Sequence, residues 1–118
     1  MEKMVTWVEI PTTEFDRAVG FYEQVLKLSL KPESYGEEKM ACFPSGEGAI
    51  IYAPNYQPSE HGVMVSLQVM DDLESTLARV EANGGKVVQP KTKIEAEGRG
   101  YFAVFLDSEG NRLGLYEN

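Results

Sequence analysis

The sequence predicts an α+β fold: two βαβββ modules forming a curved mixed sheet around a cleft, with the helices outside. Three observations lead there. The order of element types in the first half recurs in the second, each helix-type run directly follows a strand-type run, and three short apolar runs follow each helix. A duplicated scaffold of this kind is expected to hold its ligand between the copies.

Taken in order, Met4–Ile10 (MVTWVEI) reads as a strand and Glu14–Leu26 as a helix, followed by strand-like runs at Leu28–Pro32, Met40–Pro44 and Ala49–Ala53. The second half gives a strand at Val63–Val69, a helix at Asp72–Asn83 and strands at Lys86–Gln89, Tyr101–Leu106 and Arg112–Tyr116. In the first helix Phe15, Ala18, Val19, Tyr22 and Leu26 recur at helical spacing, and Thr13 with Asp16 resembles a capping box. In the second, Leu73, Leu77 and Val80 share a face, Asp71 or Asp72 can cap the start, and Gly84-Gly85 ends it. Pro54–Gly62 is rich in turn formers and joins the halves, giving module one at about 1–54, a linker at 55–62 and module two at about 63–118. Thr92–Gly100 is a charged, glycine-containing flap beside the cleft, and Asp107–Asn111 (DSEGN) a tight turn with Gly110 left-handed.

Composition sets the bounds. The 118 residues, 42% hydrophobic and 25% charged, fit one globular domain. The single cysteine, Cys42, excludes an internal disulfide and fits a reducing cytoplasm; its place in a strand suits a small buried hydrophobe better than a nucleophile. No apolar run is long enough to span a membrane, and the N-terminus carries no apolar signal segment. A net charge of −8 argues against nucleic acid or an anionic membrane as partner. Acidity suits a cationic ligand, but it also serves solubility alone.

Alternation assigns the strand faces. Val8 and Ile10 share one face and must cover the helix, so Trp7 and Glu9 point toward the cleft. Val65, Leu67 and Val69 form the core face of the fifth strand, which leaves Met64, Ser66 and Gln68 opposite; in the last strand Arg112, Gly114 and Tyr116 alternate with Leu113 and Leu115. Trp7, Met64, Ser66, Gln68, Arg112 and Tyr116 are therefore the candidate ligand-binding residues. Glu9 is the candidate catalytic residue, because facing the core it would be an unpaired buried carboxylate. On the cleft face it acts as a general base or as counter-ion to a cation, or else it forms a structural salt bridge with Arg112. Trp7 is a stacking platform for a flat ligand or the filling of a small cavity. Tyr52, Tyr56, Tyr101 and Tyr116 are further hydroxyls whose direction the sequence leaves open.

The stretches WVEIPTTEFDRAVGFYEQVLKL, DDLESTLARVEANGGKVV and YFAVFLDSEGNRLGLYEN, with their FY pair, GG after the second helix and D-x-x-G-N turn, resemble the vicinal oxygen chelate (VOC) superfamily of glyoxalase I, extradiol dioxygenases, and bleomycin and fosfomycin resistance proteins. The resemblance covers essentially the whole chain and implies a homodimer. In metal-dependent members, His, Gln or Glu side chains enter the cleft from the first and last strands of each module. Those slots fall here on Trp7, on Ile50 or Ile51, on Met64 or Val65, and on Gly114, none of which offers the donor such a metal needs. No metal and no cofactor is therefore expected. A displaced site of His61, Glu9 and Glu117 is the alternative, against His61 as a solvated loop residue and Glu117 as a solvated carboxylate.

Two functions follow from the resemblance. One is a binding module like the bleomycin-resistance branch, where an acidic, aromatic-lined cleft holds a cationic or flat small molecule. The other is a glyoxalase-like lyase or isomerase, or a dioxygenase, with Glu9 as base or with the displaced metal site; proton transfer at Glu9 lacks an electrophile to stabilise an enediolate.

Overall fold

The computed structural model describes residues 4–118. Two four-stranded mixed sheets carry one helix each. The first contains β1 (Val8–Pro11), β2 (Pro32–Tyr35), β3 (Glu38–Cys42) and β4 (Gly48–Tyr52), with α1 at Phe15–Leu26. The second contains β5 (Ser66–Gln68), β6 (Lys86–Lys93), β7 (Tyr101–Leu106) and β8 (Arg112–Glu117), with α2 at Leu73–Ala82. Strand order is β1-β4-β3-β2 in one sheet and β5-β8-β7-β6 in the other, so the two share one topology. The first strand of each pairs in parallel with the last, and the remaining pairs are antiparallel. The expected curved sheet is thus two sheets, not joined into a closed barrel.

Apolar burial unites the halves. Ile10, Ala41 and Ile50 from the first sheet and Ala103, Phe105, Leu113 and Leu115 from the second belong to a single core with both helices. Every residue on the expected faces of α1 and α2 is buried. In α1 the buried set also includes Phe21 and Val25, because this helix touches the other module as well: Phe21 stacks on Phe105 at 6.2 Å between ring centroids.

Boundaries moved where local chemistry overrode alternation. Of the Leu28–Pro32 run only Pro32 belongs to a strand. Lys27 turns left-handed, the Leu28 amide bonds to the Glu23 carbonyl, and the Leu30 amide bonds to the Glu23 carboxylate, so these leucines close the end of α1. The true strand, β2, is exposed along its whole length and carries no apolar signal. The Val63–Val69 run pairs only over Ser66–Gln68. In contrast, β6 runs past Pro90 to Lys93 with register shifts, which an edge strand tolerates.

The capping also differs from expectation. Asp72 caps α2 by accepting from the Ser75 amide at 2.7 Å. Thr13 does not cap α1; the N-cap is Glu14 and its side chain makes no cap bond. The cap comes instead from the β7–β8 turn, where Glu109 accepts the Thr13 and Glu14 amides at 2.9 and 2.7 Å and pairs with Arg17 at 2.7 Å. An acid at a helix start also meets the positive end of its dipole. Glu117 is likewise no free carboxylate, since it accepts the Leu73 amide at 2.6 Å and pairs with Lys91 at 3.2 Å.

These carboxylates set the acid limit. Hydrogen bonds from Arg79 hold Asp71 far below its usual range; the Leu73 amide and Lys91 lower Glu117; Arg17 and two amides lower Glu109 against the opposing effect of burial. A depressed folded pKa contributes stability above the ordinary value, about 3.8 for Asp and 4.5 for Glu, and that stability is lost as pH falls. Asp107, raised by burial, acts in the opposite sense and favours the folded state when protonated. The Tm is expected to drop as pH falls from 5 toward 3. Glu109→Ala should cost about 1–2 kcal/mol at pH 7 and flatten that drop, as read by calorimetric melts across pH.

Candidate functional site

The site faces away from the helices. Parallel pairing sets Glu9 beside Ala49 and Pro11 beside Ile51, while Ile10 and Ile50 turn into the core. In the second sheet Ser66 lies beside Gly114 and Gln68 beside Tyr116, on the face opposite Leu67 and Leu115. The predicted parity thus holds for Glu9, Ser66, Gln68 and Tyr116. Trp7 precedes β1 and Met64 precedes β5, because the strands expected over Met4–Ile10 and Val63–Val69 begin later. Between the inner edges lies a narrow groove of about 80 Å³ whose lining includes Glu9, Pro11, Val65, Arg112 and Leu113.

Glu9 organises the first-module side. Its carboxylate accepts the Trp7 indole N–H at 3.1 Å. Its charge holds the Tyr56 pKa above the ordinary value. Trp7 keeps 42% and Tyr56 45% of their surface open, so the indole offers a face to a ligand and does not fill a closed cavity. Tyr56 is the partner that sequence reasoning had only as one tyrosine of four. Nothing in its local pattern marks it, because a turn in the linker brings it to Glu9.

The other predicted residues divide. Arg112 lines the groove with Glu9, but no ion pair joins the two among the described residues, so the structural salt bridge is not formed. Gln68 donates its amide to the backbone carbonyl of Tyr116 at 3.2 Å. The Tyr116 hydroxyl accepts the Gly100 amide at 3.2 Å and tethers the 94–100 loop, itself closed by an Ile94–Gly100 backbone bond. Ser66 is exposed on the cleft side beside Gly114, and Met64, just before β5, is exposed. Tyr101 lies under the Lys91 and Lys93 ammonium groups, and Tyr52 sits near the start of α1. Cys42 is exposed beside Ala49, not buried as expected; its neighbour Ala41 takes the core position.

The metal slots take up hydrocarbon and backbone. Ile50 is in the core, Ile51 is buried on the cleft face, and a Cβ built on Gly114 would meet the Ser66 hydroxyl at 2.4 Å. His61 is solvated as expected, with its side chain 87% exposed and 3.7 Å from Glu60, and Glu117 is committed to α2, so the two do not join Glu9. These residues do not fit the metal of metal-dependent VOC proteins.

The family model for the glyoxalase/bleomycin resistance protein/dioxygenase superfamily matches residues 5–115. The chain belongs to this superfamily. Among solved structures, a glyoxalase/bleomycin resistance protein from Albidiferax ferrireducens is similar, with TM-score 0.72 and 17% identity over 98% of this chain and 99% of that one. Glyoxalase I from Zea mays matches with TM-score 0.69 and 18% identity over 95% of this chain and 45% of its own. A fosfomycin resistance protein from Listeria monocytogenes, crystallised with Mn(II), matches with TM-score 0.69 and 14% identity over 98% and 90%. At these identities the likeness establishes the VOC fold and nothing finer. A comparison with curated proteins finds no match.

The Glu9–Tyr56 coupling is directly measurable. Replacing Glu9 with Ala removes the charge that opposes phenolate formation, so the Tyr56 pKa should fall toward 10. A tyrosinate absorbance titration, with Tyr56→Phe to assign the transition, checks it.

Proposed function

We propose that this VOC-family protein binds a small molecule on the cleft face, with Glu9 as counter-ion and Trp7 as stacking surface for a flat cation. The observation that carries the reading is the Glu9 carboxylate, flanked by the open faces of Trp7 and Tyr56. An indole face attracts cations, and a carboxylate beside it adds a directed ion pair. The net charge of −8 favours the approach of such a ligand over that of an anion. Arg112 lines the groove with Glu9, and Met64, Ser66 and Tyr116 complete the facing wall in this reading, while Gln68 lies among Phe43, Leu67 and Met70.

The protein acts as a homodimer in this proposal. Val63, which lines the groove, is exposed, as are Met4 and Val5, and a second copy covers these apolar side chains. Light scattering should give twice the monomer mass. No described helix is long and apolar enough to cross a membrane. The lone Cys42 suits the cytoplasm.

A second reading keeps Glu9 as a general base in a glyoxalase-like proton transfer, since Tyr56 places a phenol beside the carboxylate. One experiment separates the two. Titrating a planar aromatic cation such as proflavine should quench Trp7, the single tryptophan, and raise the Tm. Glu9→Gln or Trp7→Ala should weaken binding by about tenfold, and added salt should weaken the wild type. Absence of quenching across aromatic cations would sink the binding reading. Glu9-dependent consumption of a small oxygenated substrate such as a hemithioacetal would favour proton transfer.

A further inference from the structure

The two hairpin turns before β4 and β8 are built alike. In one, Phe43 bonds to the Gly48 carbonyl and Gly46 to that of Phe43; in the other, Asp107 bonds to the Asn111 carbonyl and Gly110 to that of Asp107. Their surroundings differ. The second turn is fastened to the first module: Asp107 accepts the Tyr22 hydroxyl, Glu109 caps α1, and Asn111 donates to the Pro11 carbonyl. Among the described residues the first turn makes no such side-chain bonds to the second module, and the start of α2 is held by Asp72 and Glu117 instead. Where Asp107 makes its polar contacts, Phe43 presents a ring.

The result is a pocket of about 370 Å³ between the first turn and the β5–α2 connection, walled by Leu26, Leu28, Phe43, Leu67 and Met70. Its volume lies within the range of small-molecule sites. Leu28, Phe43 and Leu67 are only partly buried, and Met70, 59% exposed, is a flexible thioether able to close over a guest. Among the described residues Glu47 is the one charged residue of the lining, and its carboxylate accepts from the Ser45 hydroxyl.

We propose that this pocket is a second binding site, for a small organic cation with an aliphatic or aromatic body: the body fills the apolar walls and the cationic head pairs with Glu47. This goes beyond the cleft-face reading and does not depend on it. Charge selects the occupant, since an anion would face the Glu47 carboxylate at the pocket.

The test uses octyltrimethylammonium below its micelle concentration, with octyl sulfate and 1-octanol as anionic and neutral controls, followed by calorimetry and methyl NMR. Saturable one-to-one binding is expected, with shifts at the methyls of Leu26, Leu28 and Leu67 and a preference of about fivefold or more for the cation over octyl sulfate. Glu47→Gln should abolish the preference without changing 1-octanol binding, and Met70→Ser should weaken all ligands by about threefold. Glu9→Gln should leave this binding unchanged, which separates failure here from failure at the cleft face. The proposal is overturned by no saturable binding, by a cation preference that survives Glu47→Gln, or by shifts confined to residues around Glu9. Shifts at the same leucines that follow protein concentration without probe would also overturn it, because a second copy would then be the occupant.

Discussion

The architecture depends on a buried polar knot at the Asp107–Asn111 turn. Asp107 is 3% exposed and accepts the Tyr22 hydroxyl at 2.7 Å, the amides of Glu109 and Asn111, and the Asn111 side chain. Burial pushes both Tyr22 and Asp107 upward in pKa, so the phenol stays protonated and donates. Asn111 then reaches the Pro11 carbonyl at the end of β1 and receives the Ser59 amide from the linker. One short turn thereby joins module two to the end of the first strand, to the start of the first helix and to the connection between modules. Such a knot is costly to leave half made, which gives the arrangement its single register.

The functional geometry follows from that attachment. Pro11 lies on the same strand as Glu9, and Arg112 directly follows Asn111, so fastening the two places Glu9 and Arg112 along one groove. The linker bond at Ser59 fixes the segment that carries Tyr56 toward Glu9. Repeated topology with unequal turns therefore yields two unlike regions, a polar junction at one hairpin and an apolar pocket at the other.

Much of this was legible in the sequence. The 3.6-residue spacing from Phe15 to Leu26 and the two-residue alternation at Val8–Ile10 and Leu113–Leu115 report burial directly, so both helices and the cleft parity were readable. The edges were not. Leu28 and Leu30 alternate like a strand but serve a helix end through Glu23, and β2 has no buried side to betray it. Glu109 capping a helix 95 residues away in sequence, Glu117 serving α2, and Tyr56 meeting Glu9 are tertiary events with no local signature. Cys42 was misplaced because its residue type suggested burial, whereas strand parity put Ala41 inside.

Amide hydrogen exchange in the wild type and in Asn111→Ala tests the central claim most directly, namely that one docked turn holds both modules in register. If the knot acts as a unit, the Thr13, Glu14 and Ser59 amides are slow in the wild type and accelerate together in the variant. Acceleration at Ser59 alone, with Thr13 and Glu14 unchanged, would contradict it.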